Sequence, residues 1–302
     1  MRGGLLSIRA SWDRDHVVVT LRFALKTGVN SGLFRTARQN LCQKHSERTT
    51  RKLGWRSVNM MKNTWTIAPL ILGTAVRDKS QTLLYRDYGV PLAGALLAWL
   101  LVNGDERVLV DAGAFGRVER PEVANRYDQT PEQRMEPQLK RFNTSCDQIR
   151  LVINTHLHLD HAGGNDYFPK ATFVVQKKEM EYAQNPLPIH RGAYDVDFSN
   201  MTFEYADGDA EILPGIRVVF TPGHSPGGQS VLVDTEKGLH IIAGDTITHF
   251  INMEVPPGTS FWPNGIYVDL RDCYWSLDRL RDLGGFILPG HDTLVMKKEL
   301  YP

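Results

Sequence analysis

The run Asn154-Thr155-His156-Leu157-His158-Leu159-Asp160-His161-Ala162-Gly163-Gly164 packs three imidazoles and a carboxylate into six residues. Imidazole nitrogen and carboxylate oxygen are the donors that zinc and similar divalent ions prefer. Just upstream, Ile149-Arg150-Leu151-Val152-Ile153 is short and largely apolar, which predicts a buried strand. The cluster therefore falls where a strand gives way to a loop, a position from which rigid scaffolds present reactive groups. His156 and His158 alternate with leucines, so both can project to one side of an extended segment. Asp160 and His161 follow at the turn, where they can serve a second ion. Gly163-Gly164 leaves the backbone free to turn away. A chance histidine cluster on a surface loop is the competing reading, and it leaves the strand context and the partners downstream unexplained.

Those partners recur in order. Thr221-Pro222-Gly223-His224-Ser225-Pro226-Gly227 follows the strand expected over Ile216 to Phe220. Ala243-Gly244-Asp245 ends the one expected over Leu239 to Ala243. Leu288-Pro289-Gly290-His291-Asp292 ends the one expected over Phe286 to Leu288. Taken singly, His224, Asp245 and His291 each read equally as a buried, hydrogen-bonded polar residue. Upstream, Leu109-Val110-Asp111-Ala112-Gly113 closes another expected strand, and Asp111 is either a turn carboxylate or the support of a metal ligand.

Together these five ordered segments resemble the motifs of the metallo-β-lactamase superfamily, over roughly residues 64 to 302. The resemblance implies an α/β fold, a four-layer αββα sandwich, with a dinuclear metal centre. It implies that His156, His158 and His224 hold one divalent ion, that Asp160, His161 and His291 hold the other, and that Asp245 bridges them. Asp160 and Asp245 are then the catalytic carboxylates, and zinc is the expected metal. Within the superfamily the likeness is nearest to the N-acyl-homoserine lactonases, carried by Asn154 to Asn165, Val175-Gln176, Glu179, Thr221 to Ser230 and Gly290-His291-Asp292. One position departs: those lactonases usually carry a tyrosine three residues after the bridging aspartate, and here Thr248 stands there. Tyr194 or Tyr267 can substitute, or each is a packing or rim residue. Only eleven residues follow His291, which disfavours the helical C-terminal domain of a glyoxalase II thioesterase.

Composition narrows the setting. A chain of 302 residues with 42% hydrophobic residues buries a large core in one or two domains. No apolar run reaches membrane-spanning length; Leu92 to Val102 is too short and is broken by Gly94. Cys42, Cys146 and Cys273 are few, odd in number and scattered, which fits a reducing, cytoplasmic setting and argues against a disulfide framework or a thiolate metal site. Residues 1–62 hold nine Arg and four Lys against two Asp and one Glu, a balance of +10, which leaves −9 for the remainder of a chain whose net charge is +1. With Met60-Met61 directly before the motif-bearing region, 1–62 reads as a dispensable or disordered basic extension and 63–302 as the hydrolase domain. A transit peptide and a nucleic-acid tail are the alternatives.

Several elements follow from pattern alone. In the extension, His16 to Phe23 predicts a strand. Trp65 to Leu72 predicts another, placed at a sheet edge by Pro69, and 73–95 reads as a long loop. Leu96 to Val102 and Arg107 to Asp111 predict a hairpin turning at Asn103-Gly104. Thr130-Pro131-Glu132-Gln133 predicts a capped helix running towards Phe142, with a break near Pro137. A strand over Phe173 to Gln176 and a helix over Lys177 to Ala183 follow. His190 reads as a surface histidine in a loop, and Met201 to Asp245 as β-rich. Residues 246–268 read as a lid or substrate wall whose aromatics Phe250, Phe261 and Trp262 either cover a substrate or pack the loop. Asp269 to Leu283 reads as an amphipathic helix.

The expected activity is hydrolysis of a lactone ring by water activated between two ions, with no protein nucleophile and no Gly-x-Ser-x-Gly element. The substrate partner is a small lactone or ester. Another ester, thioester or phosphotriester on the same centre is the first alternative. A nuclease or RNA-binding protein using the basic leader is the second, and the acidic balance of 63–302 counts against it. Neither nucleic acid nor membrane is expected as a partner, and the oligomeric state is unassigned.

Overall fold

The computed structural model describes residues 6–13, 16–23, 64–117 and 120–302. The chain divides into two compact units, Met1–Ser57 and Val58–Pro302. In the first, β1 (Leu6–Asp13) and β2 (His16–Phe23) form an antiparallel hairpin. The expected strand at His16 is present, with a partner that sequence pattern had not suggested. The basic stretch from Arg35 to Arg56 lies outside the described residues.

The second unit holds two sheets. One runs β3 (Thr66–Asp78), β4 (Pro91–Asn103), β5 (Glu106–Val110), β6 (Leu151–Ile153), β7 (Thr172–Gln176) and β8 (Thr202–Ala206), neighbours in that order. The other contains β9 (Ala210–Leu213), β10 (Ile216–Phe220), β11 (Gln229–Thr235), β12 (Gly238–Ile242) and β13 (Phe286–Leu288), arranged β13-β12-β11-β10-β9. The helices are α1 (Pro121–Ala124), α2 (Met135–Lys140), α3 (Leu159–Ala162), α4 (Lys177–Gln184) and α5 (Leu270–Leu283).

Period-two alternation makes the layers. On β4, Leu97, Trp99 and Leu101 point towards the second sheet and pack with Val218, Val231, Val233 and Ile242. Their neighbours Leu96, Ala98 and Leu100 point the other way, into a cluster with Met135 and Leu139 of α2 and Leu159 of α3. The far face of the second sheet, through Val219, Leu232 and Ile241, packs on Leu277 and Leu280 of α5. Helix, sheet, sheet, helix is therefore the layer order, and each apolar face finds a partner.

Most pattern-level elements stand where expected, and the departures have physical causes. Residues 73–95 are not a long loop: β3 runs on to Asp78 and β4 begins at Pro91, so the two pair from Thr66↔Val102 to Asp78↔Pro91. The ladder survives because its register shifts between Ile71 and Gly73. Gly73 sits at φ +153, where a Cβ would meet the Asp128 carbonyl at 2.9 Å, so only glycine fits this bulge. As Pro69 implied, β3 is an edge strand. Pro137 does not break a helix; it lies in the first turn of α2, and the break comes earlier, at the extended residue Arg134 after the 3-10 turn Pro131–Gln133. Strand β6 is shorter than expected because Ile149 ends a 3-10 turn instead. His190 is half-buried, its Nδ1 lying 2.7 Å from Tyr182 Oη. In the loop 246–268, Phe250 and Phe261 pack into the two inner and outer cores, and Trp262 Nε1 donates to the Leu84 carbonyl. These aromatics anchor the loop.

Topology then gathers the motifs. Strand β12 is parallel to β13 and antiparallel to β11, which is antiparallel to β10. The C-terminal ends of β10, β12 and β13 thus share one edge of their sheet, as the ends of β5 and β6 do in the other. Strand-end loops meeting at such an edge are how a layered scaffold builds one site from distant sequence.

Candidate metal centre

All seven sequence-selected residues come together. One nitrogen each of His156, His158 and His224 lie within 4.8 Å of one another, as do donor atoms of His156, His161 and Asp245, and of Asp160, His161 and His291. His161 and His291 are 130 residues apart in the chain, with their Nε2 atoms 3.3 Å apart. Five of the seven are buried, His156 being 2% and His161 1% exposed, while Asp160 and His291 are part-exposed at the mouth.

Outward hydrogen bonds set which nitrogen faces the centre. His161 Nδ1 donates to Asp111 Oδ2 at 2.8 Å. His224 Nδ1 donates to the Ile266 carbonyl at 2.9 Å, and His291 Nδ1 to the Ala95 carbonyl at 2.8 Å. The Thr155 hydroxyl donates to Asp111 Oδ2 at 2.8 Å and so accepts from His156 Nδ1 at 3.1 Å. Four Nε2 lone pairs therefore turn inward, the arrangement by which metal-ligating histidines are oriented.

The inward atoms do not satisfy one another. His156 Nε2 and Asp245 Oδ1 are buried without a hydrogen bond, although Asp245 Oδ1 lies 3.0 Å from His291 Nε2 and 3.2 Å from His161 Nε2. His224 Nε2 lies 3.0 Å from His158 Nδ1. Facing lone pairs repel, and buried polar atoms left unpaired are costly. Divalent cations between them remove both penalties, so the donor set fits metal ions of the zinc type.

The charge environment divides the imidazoles. Burial and the neighbouring imidazole of His224 push the His158 imidazole down to about 3. Burial, then His161, His158 and His224, holds His156 well below the usual imidazole range. At His161 burial acts downwards, but the carboxylates of Asp245 and Asp111 outweigh it and hold the imidazole well above that range. Burial would raise Asp245, yet His291, His161 and His224 keep it well below the usual carboxylate range.

Around the ligands stands a rigid frame. Asp111 also accepts the Thr155 N–H at 2.7 Å, so one carboxylate orients both His156 and His161. Glu179, fully buried, accepts from Leu157 N at 3.0 Å, Tyr194 Oη at 3.0 Å and Gly227 N at 2.9 Å. It ties the loop between His156 and His158 to the loop after His224. Tyr194 thereby has its hydroxyl engaged, with its ring edge-on to His158, and it is a packing residue. Thr248 is engaged too, donating to Asn264 and Asn252, while Asn264 donates to the Asp245 carbonyl.

An open cleft of about 590 Å³ reaches the centre, lined by Asp160, His224, Asp245 and His291 and by the apolar side chains of Leu92, Ala95, Leu96 and Ile266. Tyr127, Thr82, Arg77 and His249 also line it, and sequence pattern had singled out none of them. Tyr127 Oη donates to Asp160 Oδ2 at 3.2 Å. Nothing in their neighbourhoods signalled a role, since each reaches the cleft through pairings made far away in the chain.

Two stacked sheets flanked by helices, with an imidazole and carboxylate cluster at their shared edge, define a layered α/β scaffold with a candidate metal site. The family model of the metallo-beta-lactamase superfamily matches residues 93–291, and the chain belongs to that superfamily. Among curated proteins, an N-acyl homoserine lactonase of Bacillus cereus is 39% identical over 119 residues, covering 38% of this chain and 46% of the relative. The N-acyl homoserine lactonase AttM of Azorhizobium caulinodans is 32% identical over 172 residues, covering 51% and 62%. The chain thus spans about half the length of the curated relatives it matches. A solved quorum-quenching N-acyl homoserine lactone lactonase superposes with a TM-score of 0.66 at 27% identity, over 79% of this chain and 96% of that one. A solved N-acyl homoserine lactone hydrolase with N-hexanoyl-L-homoserine at its catalytic metal centre gives 0.65 at 27% identity, over 77% and 95%.

Proposed function

We propose that this chain is a hydrolase dependent on two divalent ions, zinc by the donor chemistry, that opens the ring of N-acyl homoserine lactones or related lactones. The observation that carries the reading is the convergence of five imidazoles and two carboxylates on one centre, with His156 Nε2 and Asp245 Oδ1 buried there without a hydrogen bond. His156, His158 and His224 would hold one ion, Asp160, His161 and His291 the other, with Asp245 shared. Bound there, such ions supply Lewis acidity towards a carbonyl oxygen and lower the pKa of water. The chain's own residues do the rest. Leu92, Leu96 and Ile266 offer apolar wall to an acyl chain. Asp111 and Glu179 hold the ligand loops in place. Asp160 and Asp245 are the carboxylates that line the cleft at the centre. Water adds to the carbonyl carbon, the ring C–O bond breaks, and the hydroxy acid formed releases one proton.

The lactonases and lactone hydrolases among the relatives and solved structures support this substrate class. Thr248, tied into its asparagine network, offers no tyrosine hydroxyl. That favours, as a second reading, another ester or a phosphotriester whose leaving group asks for no such donor. The two buried free thiols, Cys146 and Cys273, fit a reducing, cytoplasmic setting. No helix among the described residues is long and apolar enough to cross a membrane. The test is a panel of lactones, aryl esters and phosphotriesters with metal content measured in parallel. Proton release on N-acyl homoserine lactones by protein holding close to two ions per chain is expected. Rapid phosphotriester turnover with no lactone turnover overturns the substrate, and full activity without metal overturns the centre.

A further inference from the structure

Tyr127 stands outside every motif of the centre, 33 residues before Asp160, yet its hydroxyl lies 3.2 Å from Asp160 Oδ2. Among the described residues this is the one hydrogen bond that either side chain makes. A neutral phenol carries the proton and a carboxylate only accepts, so Tyr127 is the donor.

The ring is held independently of that bond. Tyr127 N donates to the Val123 carbonyl at 3.1 Å, and the next residue, Asp128, exchanges two backbone hydrogen bonds with Thr74 of β3, each at 2.8 Å. Phe115 meets the ring edge-on with centroids 6.4 Å apart, and the Arg77 guanidinium lies 5.1 Å from its centre. Tyr127 is buried in the cluster that includes Val123 and Leu96. A phenylalanine would keep all of these contacts, so packing accounts for the ring and leaves the hydroxyl unexplained.

The geometry at Asp160 explains it. The imidazoles of His156, His161, His224 and His291 are each anchored from behind, by a threonine hydroxyl, a carboxylate or a backbone carbonyl. Asp160 sits in the single turn of α3 with its side chain 19% exposed. Water reaches it, and among the described residues Tyr127 is its one anchor. Oδ2, the oxygen that Tyr127 holds, is also the one that approaches His291 Nε2, at 4.0 Å. The phenol thus aims one carboxylate oxygen at the point where Asp160, His161 and His291 converge, as outer hydrogen bonds aim the ligands of metal sites.

We propose that Tyr127 is a positioning residue, whose hydroxyl fixes Asp160 and thereby sets the affinity of the ion that Asp160, His161 and His291 hold. This rests on the two-ion reading above. Asp160 belongs to that donor group and not to the group of His156, His158 and His224, so the effect is selective for one ion.

The test is Tyr127→Phe in the full chain, beside Asp160→Asn, with zinc and cobalt(II) as probes. Affinity for each ion is measured by competition with a chelator, and the cobalt environment by visible absorption. We expect Tyr127→Phe to weaken one ion about 10–100-fold and to leave the other within about threefold. The weakened ion is the one that Asp160→Asn loses, and the cobalt absorption of that ion alone changes. Wild-type affinities and spectrum in Tyr127→Phe overturn the proposal. So does equal weakening of both ions, which marks a merely structural role, or weakening of the ion that Asp160→Asn retains. Wild-type protein that binds no divalent ion overturns the two-ion reading and this proposal with it. Lactone turnover does not enter the measurement, so failure of the substrate assignment is read separately.

Discussion

Asp111 Oδ2 accepts the Nδ1 proton of His161 at 2.8 Å, while its Oδ1 accepts the Thr155 N–H at 2.7 Å. One carboxylate thereby aims two imidazoles from behind. Asp111 itself sits at φ +56, a left-handed conformation that Asn and Asp tolerate better than other side-chain-bearing residues. Asp111→Asn therefore tests the charge without adding backbone strain. It should weaken metal binding by about 10–100-fold, read by competition with a chelator. Metal affinity equal to wild type would reject the orienting role.

Asp245 is the carboxylate that approaches His161, His224 and His291, at 3.2, 3.3 and 3.0 Å. Asp245→Asn keeps its volume and removes its charge. We expect kcat to drop at least about a hundredfold, roughly 2.7 kcal/mol of transition-state stabilisation. A variant with both ions bound and unchanged kcat would show that the carboxylate is not shared.

Gly227 presses against the start of α4: a Cβ there would lie 2.1 Å from the Glu179 backbone nitrogen. Gly227→Ala must push apart the two loops that Glu179 joins. Denaturant unfolding should show a loss of about 1–3 kcal/mol, and titration should show weakened metal binding. An unchanged midpoint would mean that the loop yields without cost.

The two buried thiols should be inert. Burial pushes Cys146 up to about 11 and Cys273 up to about 12, so at pH 8 their reactive thiolate fraction is small. Mass spectrometry after brief iodoacetamide treatment should find neither labelled in native protein and both labelled in denaturant. Native labelling comparable to the denatured sample would contradict this burial.

Deleting residues 1–57 should leave turnover and metal content nearly unchanged, because every candidate ligand lies within the unit Val58–Pro302. The measurement is kcat/KM and metal per chain for the shortened protein. Insolubility or loss of metal would assign the basic extension a structural part.

Sequence by itself determined the chemistry and much of the local structure. His156-x-His158-x-Asp160-His161 brings four donors together through covalent connectivity alone, and the alternation on β4 sorts Leu97, Trp99 and Leu101 from Leu96, Ala98 and Leu100. Both signals are short-range, so they survive in the linear order. Tertiary structure alone decided what depends on register and packing. The shift at Gly73 turned an expected loop into two long paired strands. The buried position of Glu179 made it a clamp between the loops of Leu157 and Gly227. Thr248 lost its hydroxyl to an asparagine network, and Tyr127 brought its own to Asp160. No local pattern encodes these, because each is set by which distant backbone lies opposite, and that follows from closing two sheets on one another.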